Sequence, residues 1–165
     1  MSVADQIRRM NFEDSCFRGI HIVYSDGNTR SCHLDIDYYN WEDNAGKAAD
    51  EPWQWRRLVL TIGHLAHIEM SAPDVVNRAQ DIDSVELGYG LGRFREEWRR
   101  FRKAFPRGAY PLFRNDEETL SVRFATQNWG DETAGYVWVV GSQVSLRWIE
   151  DDLLVGQTHF PLSEE

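Results

Sequence analysis

Alternation of apolar and polar side chains, the pattern typical of strands with one buried face, recurs along most of the chain. It is clearest in residues 18–24 and 30–38, which lie on either side of a turn-forming stretch at residues 25–28. Serine, aspartate, glycine and asparagine in that stretch favour a tight reversal of the chain. The two alternating segments therefore predict a β-hairpin.

The register of this hairpin follows from the length of its loop. Side chains alternate between the two faces of a strand, so only an odd loop, here residues 26–28, puts the apolar side chains of both strands on one face. Such a loop pairs Ile22 with Cys32. The opposite face then carries His21 directly across from His33.

Further alternating segments predict five more strands, and the segment closest to the C-terminus could add a sixth. These segments are residues 53–62, 64–70, 83–89, 119–128, 136–148 with a break at Gly141, and a last edge strand over 153–159. From Glu42 to Pro52 the chain is polar and follows neither the strand period nor the helix period. We expect a loop there.

The pattern predicts one amphipathic helix, over residues 92–105. Its aromatic side chains are spaced by four, three and four residues, which places them on one face. They are Phe94, Trp98, Phe101 and Phe105. Seven or eight strands with a single helix indicate an α+β fold with a mostly antiparallel curled sheet or sandwich, because each parallel connection would need a crossover. A length of 165 residues indicates one domain over residues 1–165.

Overall charge narrows the choice of partners. The net charge is −9 and the pI is near 5.0, which disfavours binding to nucleic acid or to anionic lipid. No apolar run is long enough for a signal peptide or a membrane-spanning helix, and the two cysteines lack the spacing of a zinc or redox site. We expect a cytoplasmic protein that does not enter the membrane.

The charge is unevenly distributed along the chain. Residues 26–52 carry seven acidic and two basic side chains, residues 93–107 carry seven basic and two acidic ones, and residues 150–165 carry five acidic ones alone. The basic block coincides with the predicted helix. Its arginines would suit RNA phosphates, but the aromatic side chains that would stack on bases are needed by the core, so pairing with the acidic blocks is favoured.

The first acidic block is interleaved with tyrosine and tryptophan. These two residue types dominate binding hot spots, and neighbouring carboxylates steer basic partners. The sequence therefore predicts a non-enzymatic protein-interaction module that captures a basic protein partner. The surface is expected to consist of Tyr38, Trp41, Glu42, Asp43 and Asp50. The alternative is that the aromatic side chains are packed in the core.

A second hypothesis concerns the polar face of the hairpin. His21, His33 and Asp35 share that face in the predicted register, and two imidazoles with a carboxylate suit zinc or iron. A metal-dependent enzyme or a small-ligand-binding β-barrel would use them. His64 and His67 would point to opposite faces of one strand and cannot share an ion. No serine or cysteine lies in a nucleophile motif, so no catalytic residue and no cofactor are predicted.

Part of the chain resembles small, acidic, uncharacterised bacterial β-rich domains, some of which are immunity proteins of polymorphic toxin systems. The resemblance covers about residues 11–71 and is carried by Phe12-Glu13-Asp14-Ser15, the two paired strands, Tyr39-Asn40-Trp41 and Leu58-Val59-Leu60-Thr61-Ile62-Gly63. It implies a bacterial cytoplasmic protein that binds a toxin, and it assigns no catalytic residue. Such domains often have His-Asp-Ser after the phenylalanine, where this chain has Glu13-Asp14-Ser15, so no histidine-based role is implied.

Overall fold

All eight strands of the computed structural model belong to one antiparallel sheet. The structure describes residues 1–25, 29–48, 51–71, 81–89, 95–103, 119–126 and 135–155. The strands are β1 Ser15–Tyr24, β2 Arg30–Tyr39, β3 Gln54–Gly63, β4 His67–Met70, β5 Asp81–Tyr89, β6 Leu120–Thr126, β7 Gly135–Gly141 and β8 Gln143–Val155. The helices are α1 Val3–Arg9, α2 Trp41–Asn44 and α3 Arg95–Lys103. The predicted α+β class with a curled antiparallel sheet is confirmed.

The sheet curls until its two ends meet. Its hydrogen-bonded order is β4-β7-β6-β5-β1-β2-β3-β8, yet β4 continues directly from β3, and β8 continues directly from β7. The combined strand β3–β4 therefore runs beside the combined strand β7–β8. Gly63 pairs with Gln143 on one side of the bend, and His67 pairs with Val140 on the other.

The bend itself lies at His64, which has a left-handed φ of 50°. Its Nδ1 atom lies 2.8 Å from the hydroxyl of Ser142, whose backbone N–H donates to the carbonyl of Gly63 over 3.1 Å. A left-handed residue cannot continue a strand. The predicted strand over residues 64–70 therefore begins only at His67, and the two histidines do not share a strand.

The predicted register of the first hairpin is confirmed. Its pairs include Ile22–Cys32, Ile20–Leu34 and His21–His33. Residues 26–28 lie outside the described chain, and beside them the Ser25 N–H donates to the Thr29 carbonyl over 3.0 Å. The end of the hairpin extends beyond the core, because Ile22 and Tyr24 remain exposed although they share the apolar face.

The interior of the curled sheet is filled by apolar side chains from both halves of the sheet. Fully buried members include Leu34, Ile36, Leu58, Leu60, Ile62, Ile82, Val122, Phe124, Val137 and Val139. Helix α1, which the pattern did not predict, packs against β5 and β8 and adds Ile7 to this core. Phe12 follows and contacts the ring of Phe124 at 5.7 Å. The segment before β1 is thus part of the core.

The predicted helix is confirmed in its central part. Helix α3 covers Arg95–Lys103, and its Arg95, Arg99 and Arg100 side chains are exposed. The aromatic stripe at positions 94, 98, 101 and 105 lies outside the described side chains. Strand β8 continues to Val155 beside β3, so the separate edge strand expected over 153–159 is wrong for its described part, and residues 156–159 lie outside the description.

Candidate functional site

Four aromatic side chains meet where β2 ends and β3 begins. Tyr39 ends β2 and pairs with Trp55 of β3, while Trp41 opens α2 and Trp53 immediately precedes β3. The ring centroid of Tyr39 lies 4.9 Å from that of Trp55, 5.1 Å from that of Trp41 and 5.8 Å from that of Trp53. Tyr39 is buried, but Trp41 and Trp53 are each 43% exposed. We call these four residues the aromatic cluster.

Helix α2 is held beside β3 by the buried side chain of Asn44. Its amide accepts a hydrogen bond from the Gln54 N–H and donates one to the Gln54 carbonyl, both over 2.8 Å. It also donates to the Asn40 carbonyl over 2.9 Å. Asn44 thus pairs with the backbone of β3 as another strand would, and this fixes the start of α2, with Trp41, beside the start of β3.

Sequence reasoning missed Asn44 because it assigned this stretch to a loop. The one local signal is Asn40, whose side chain accepts a hydrogen bond from the Glu42 N–H over 3.0 Å and so caps α2. Asparagine is a preferred residue at a helix N-cap. The hydrogen bonds from Asn44 to Gln54 span ten residues and have no sequence signature.

The segment before β1 forms the other side of the site. The indole N–H of Trp41 donates to the Glu13 carbonyl over 3.2 Å, and the Tyr39 N–H donates to the buried hydroxyl of Ser15 over 3.0 Å. Two of the segments that carry the resemblance, residues 12–15 and 39–41, therefore meet in space at the aromatic cluster.

Several carboxylates lie close to Asp14, which follows Glu13 in this segment. Burial raises the pKa of Asp14 above its ordinary value of 3.8, and the negative charges of Glu13, Asp81 and Asp83 raise that pKa further. The pKa of Tyr39 is raised by burial and additionally by the charge of Asp14. We call Glu13, Asp14, Asp81 and Asp83 the acidic group. Of these four carboxylates, Asp14 is the one whose charge acts on Tyr39.

The residues predicted to form the binding surface differ in their exposure and in their contacts. Trp41 and Glu42 are exposed on α2. Asp43 forms an ion pair of 2.7 Å with Arg56 on β3, which neutralises its charge and adds a further link between α2 and the sheet. Asp50 lies outside the described residues. The exposed part of the site is therefore centred on Trp41 rather than on Asp43.

Tyr38 lies in the interior and not on the predicted surface. Its ring contacts those of Phe12 at 5.4 Å and Trp148 at 5.6 Å, and burial raises the pKa of its hydroxyl. The reason is strand parity, because Tyr38 follows Leu34 and Ile36 on the inward face of β2, while Tyr39 faces outward. The tyrosine at the site is therefore Tyr39.

The polar face of the hairpin is arranged differently from the proposed metal site. His21 and His33 are directly paired, but both carboxylate oxygens of Asp35 accept hydrogen bonds from Arg57, over 2.9 and 2.6 Å. Arg57 lowers the pKa of Asp35, and His33 lies 3.1 Å from the hydroxyl of Ser31. Within the described ranges, no three His, Cys, Asp or Glu side chains are arranged to hold a metal ion.

A cavity of about 410 Å³ lies at the opposite end of β3 from the aromatic cluster. Its walls are formed by Thr61, Gly63, Tyr89, Ser142, Gln143, Val144 and Ser145. None of these side chains was predicted to form a site. Among these described lining residues, Tyr89 is the one ionisable side chain.

Comparison with protein-family models, with curated proteins and with solved structures found no match for this chain. In the part of the chain that the structure describes, no helix has the length and apolar character needed to span a membrane.

Proposed function

We propose that this protein is a non-enzymatic interaction module, of the immunity type found in bacterial toxin systems, that captures a basic protein partner in the cytoplasm. The capturing surface consists of the aromatic cluster, the acidic group and Glu42. One observation carries the proposal: two tryptophans, each 43% exposed, lie on a buried tyrosine, and the carboxylate of Asp14 is close enough to that tyrosine to raise its pKa.

Half-exposed tryptophans on a rigid base suit a binding hot spot. Each still has apolar surface to bury against a partner, and Tyr39 and Asn44 fix the positions of their elements before binding, which reduces the entropy lost on association. The acidic group contributes differently. Its carboxylates attract a basic partner over a distance of about 8 Å at physiological salt and so accelerate association.

The geometry favours this proposal over a metal-dependent enzyme. Asp35, the only carboxylate in the proposed metal site, is fully occupied by the Arg57 guanidinium. Trp41 and Glu42, in contrast, remain exposed and are presented by a helix with several anchoring contacts. Surface residues on a fixed support are the usual arrangement of a binding site.

The proposal is tested by affinity capture from a lysate of the source cells, followed by titration calorimetry with the purified captured protein. We expect a basic protein that binds the unmodified chain, and Trp41→Ala is expected to weaken its binding by about 2 kcal/mol, the usual threshold of a hot spot. Raising the salt concentration should mainly slow association.

The matched control is Tyr24→Ala. Tyr24 is 74% exposed and is also aromatic, but it lies at the opposite end of the β1–β2 hairpin from Tyr39, Ser15 and the aromatic cluster. Its removal should leave the affinity unchanged. Equal effects of both substitutions, or a captured partner that is acidic, would contradict the proposed function.

A further inference from the structure

The rings of the aromatic cluster are turned in different directions around Tyr39. The indole planes of Trp41, Trp55 and Trp53 are inclined to the tyrosine ring by 80°, 65° and 55°. Tyr39 is 7% exposed, and the two outer tryptophans are 43% exposed. A flat stack would present a single face to a ligand. This arrangement is not a flat stack, because each indole plane is steeply inclined to the tyrosine ring.

The negative charge near the aromatic cluster favours a cationic ligand. The face of an aromatic ring attracts cations, and among the aromatic residues tryptophan does so most strongly. Glu13 contacts Trp41 through its backbone carbonyl, and Asp14 is close enough to Tyr39 to raise its pKa. Ring faces and carboxylates together are complementary to a group that is both planar and cationic.

We propose that the aromatic cluster binds an arginine side chain of the basic partner, with its guanidinium stacked on an exposed indole and the carboxylate of Asp14 as the counter-charge. This inference rests on the proposed function and names the group that the site recognises. Arginine is favoured over lysine because its planar, weakly hydrated guanidinium stacks on rings and pairs with carboxylates through two hydrogen bonds.

The test is a titration with three short peptides that differ only in one repeated residue placed between glycines: arginine, lysine or citrulline. Citrulline keeps the shape of arginine and lacks its charge. Binding is followed at physiological salt by the NMR signals of the indole N–H groups, which report whether Trp41 and Trp53 themselves contact the peptide. We expect the arginine peptide to bind more tightly than the lysine peptide and the citrulline peptide to shift no indole signal.

Two substitutions localise the binding. Trp53→Ala and Asp14→Asn should each lower the affinity for the arginine peptide by about two- to fivefold, the range expected for the loss of an exposed cation–π contact or charge pair. Trp53→Phe keeps a ring and should retain most of the affinity. Tyr24→Ala and Asp5→Asn are the matched controls for an exposed aromatic and an exposed carboxylate outside the site, and they should leave the affinity unchanged.

Equal affinity for the arginine and lysine peptides would contradict the preference for arginine. Equal affinity for the arginine and citrulline peptides would contradict the proposal that the ligand is a cation. An unchanged affinity of Trp53→Ala, with thermal unfolding like that of the parent, would overturn the location. The peptide titration does not need the natural partner. If it fails while Trp41→Ala still weakens partner binding, the inference is wrong and the proposed function stands; if no basic protein binds at all, the proposed function is wrong.

Discussion

Two aspartate–arginine pairs show how burial determines the contribution of an ion pair to the stability of the fold. The side chain of Asp35 is 12% exposed and accepts two hydrogen bonds from Arg57, whereas Asp5 and Arg8 on α1 have side chains that are 48% and 42% exposed. An exposed pair contributes little because water already solvates both ions. A half-buried arginine that loses its partner keeps its charge and loses its hydrogen bonds.

We expect Asp35→Asn to lower the free energy of unfolding at neutral pH by about 1–3 kcal/mol, because the guanidinium of Arg57 loses a charged partner. The pKa of Asp35 is lowered from 3.8, mainly by its hydrogen bonds with Arg57, so its contribution is present above that pH and is lost as the pH falls through the lowered pKa. Urea unfolding at several pH values measures this.

The control for this prediction is Asp5→Asn, which should leave the urea midpoint unchanged within error. The difference between the parent and Asp35→Asn should also shrink as the pH falls below about 3.8, where the unfolded chain begins to bind the proton first, and it should vanish below the lowered native pKa, where the aspartate is protonated in both states. A difference that persists undiminished in acid would show that packing, and not charge, is responsible.

At the scale of elements, most strands were predictable and two helices were not. A strand with one buried face can be recognised from the alternation of apolar and polar residues in its own sequence. For β1 and β2, the odd length of the loop between them also predicted the register of their pairing. Helix α2 has four residues, too few for a periodic signal, and helix α1 has seven. The bend between β7 and β8 was marked by Gly141, and its cause is the close approach of β3.

Gly141 has no room for a side chain. A Cβ atom there would lie 2.5 Å from the Gly63 carbonyl oxygen and 2.6 Å from a methyl carbon of Ile62. We expect Gly141→Ala to destabilise the protein by about 1–3 kcal/mol, because the backbone of the bend must shift. Thermal or urea unfolding measures the effect.

Gly88 on β5 is the matched control, since a Cβ atom there would meet no heavy atom within 4 Å. Gly88→Ala should be neutral or slightly stabilising, because alanine loses less backbone freedom on folding. Similar losses from both substitutions would mean that the close contact at Gly141 relaxes without cost.

For the molecule as a whole, the segment before β1 connects the core to the site. Helix α1 buries Ile7 between β5 and β8, Phe12 packs on Tyr38 and Phe124, and Glu13 then accepts the hydrogen bond from Trp41. A segment without strand alternation thus completes the interior and positions one side of the binding surface.

We expect Ile7→Ala to cost about 2–5 kcal/mol of the free energy of unfolding, since a fully buried isoleucine leaves a cavity when it is truncated. Ile22→Ala is the same substitution at a position that is 43% exposed, and its cost should be clearly smaller. Urea unfolding of both variants compares them. Equal costs would indicate that α1 is not part of the cooperative core.

The sequence by itself determined the antiparallel strands, the hairpin register, the central part of α3 and the acidic, aromatic character of residues 35–55, because alternation, turn residues and composition are local properties. Tertiary structure decided which side chains meet. Glu13 and Trp41 are 28 residues apart and come together only because β1 and β2 pair. Tyr39 rather than Tyr38 lies on the outward face of β2 with the aromatic cluster, and Asp35 binds Arg57 rather than completing the proposed metal site, because neighbouring strands supply their partners.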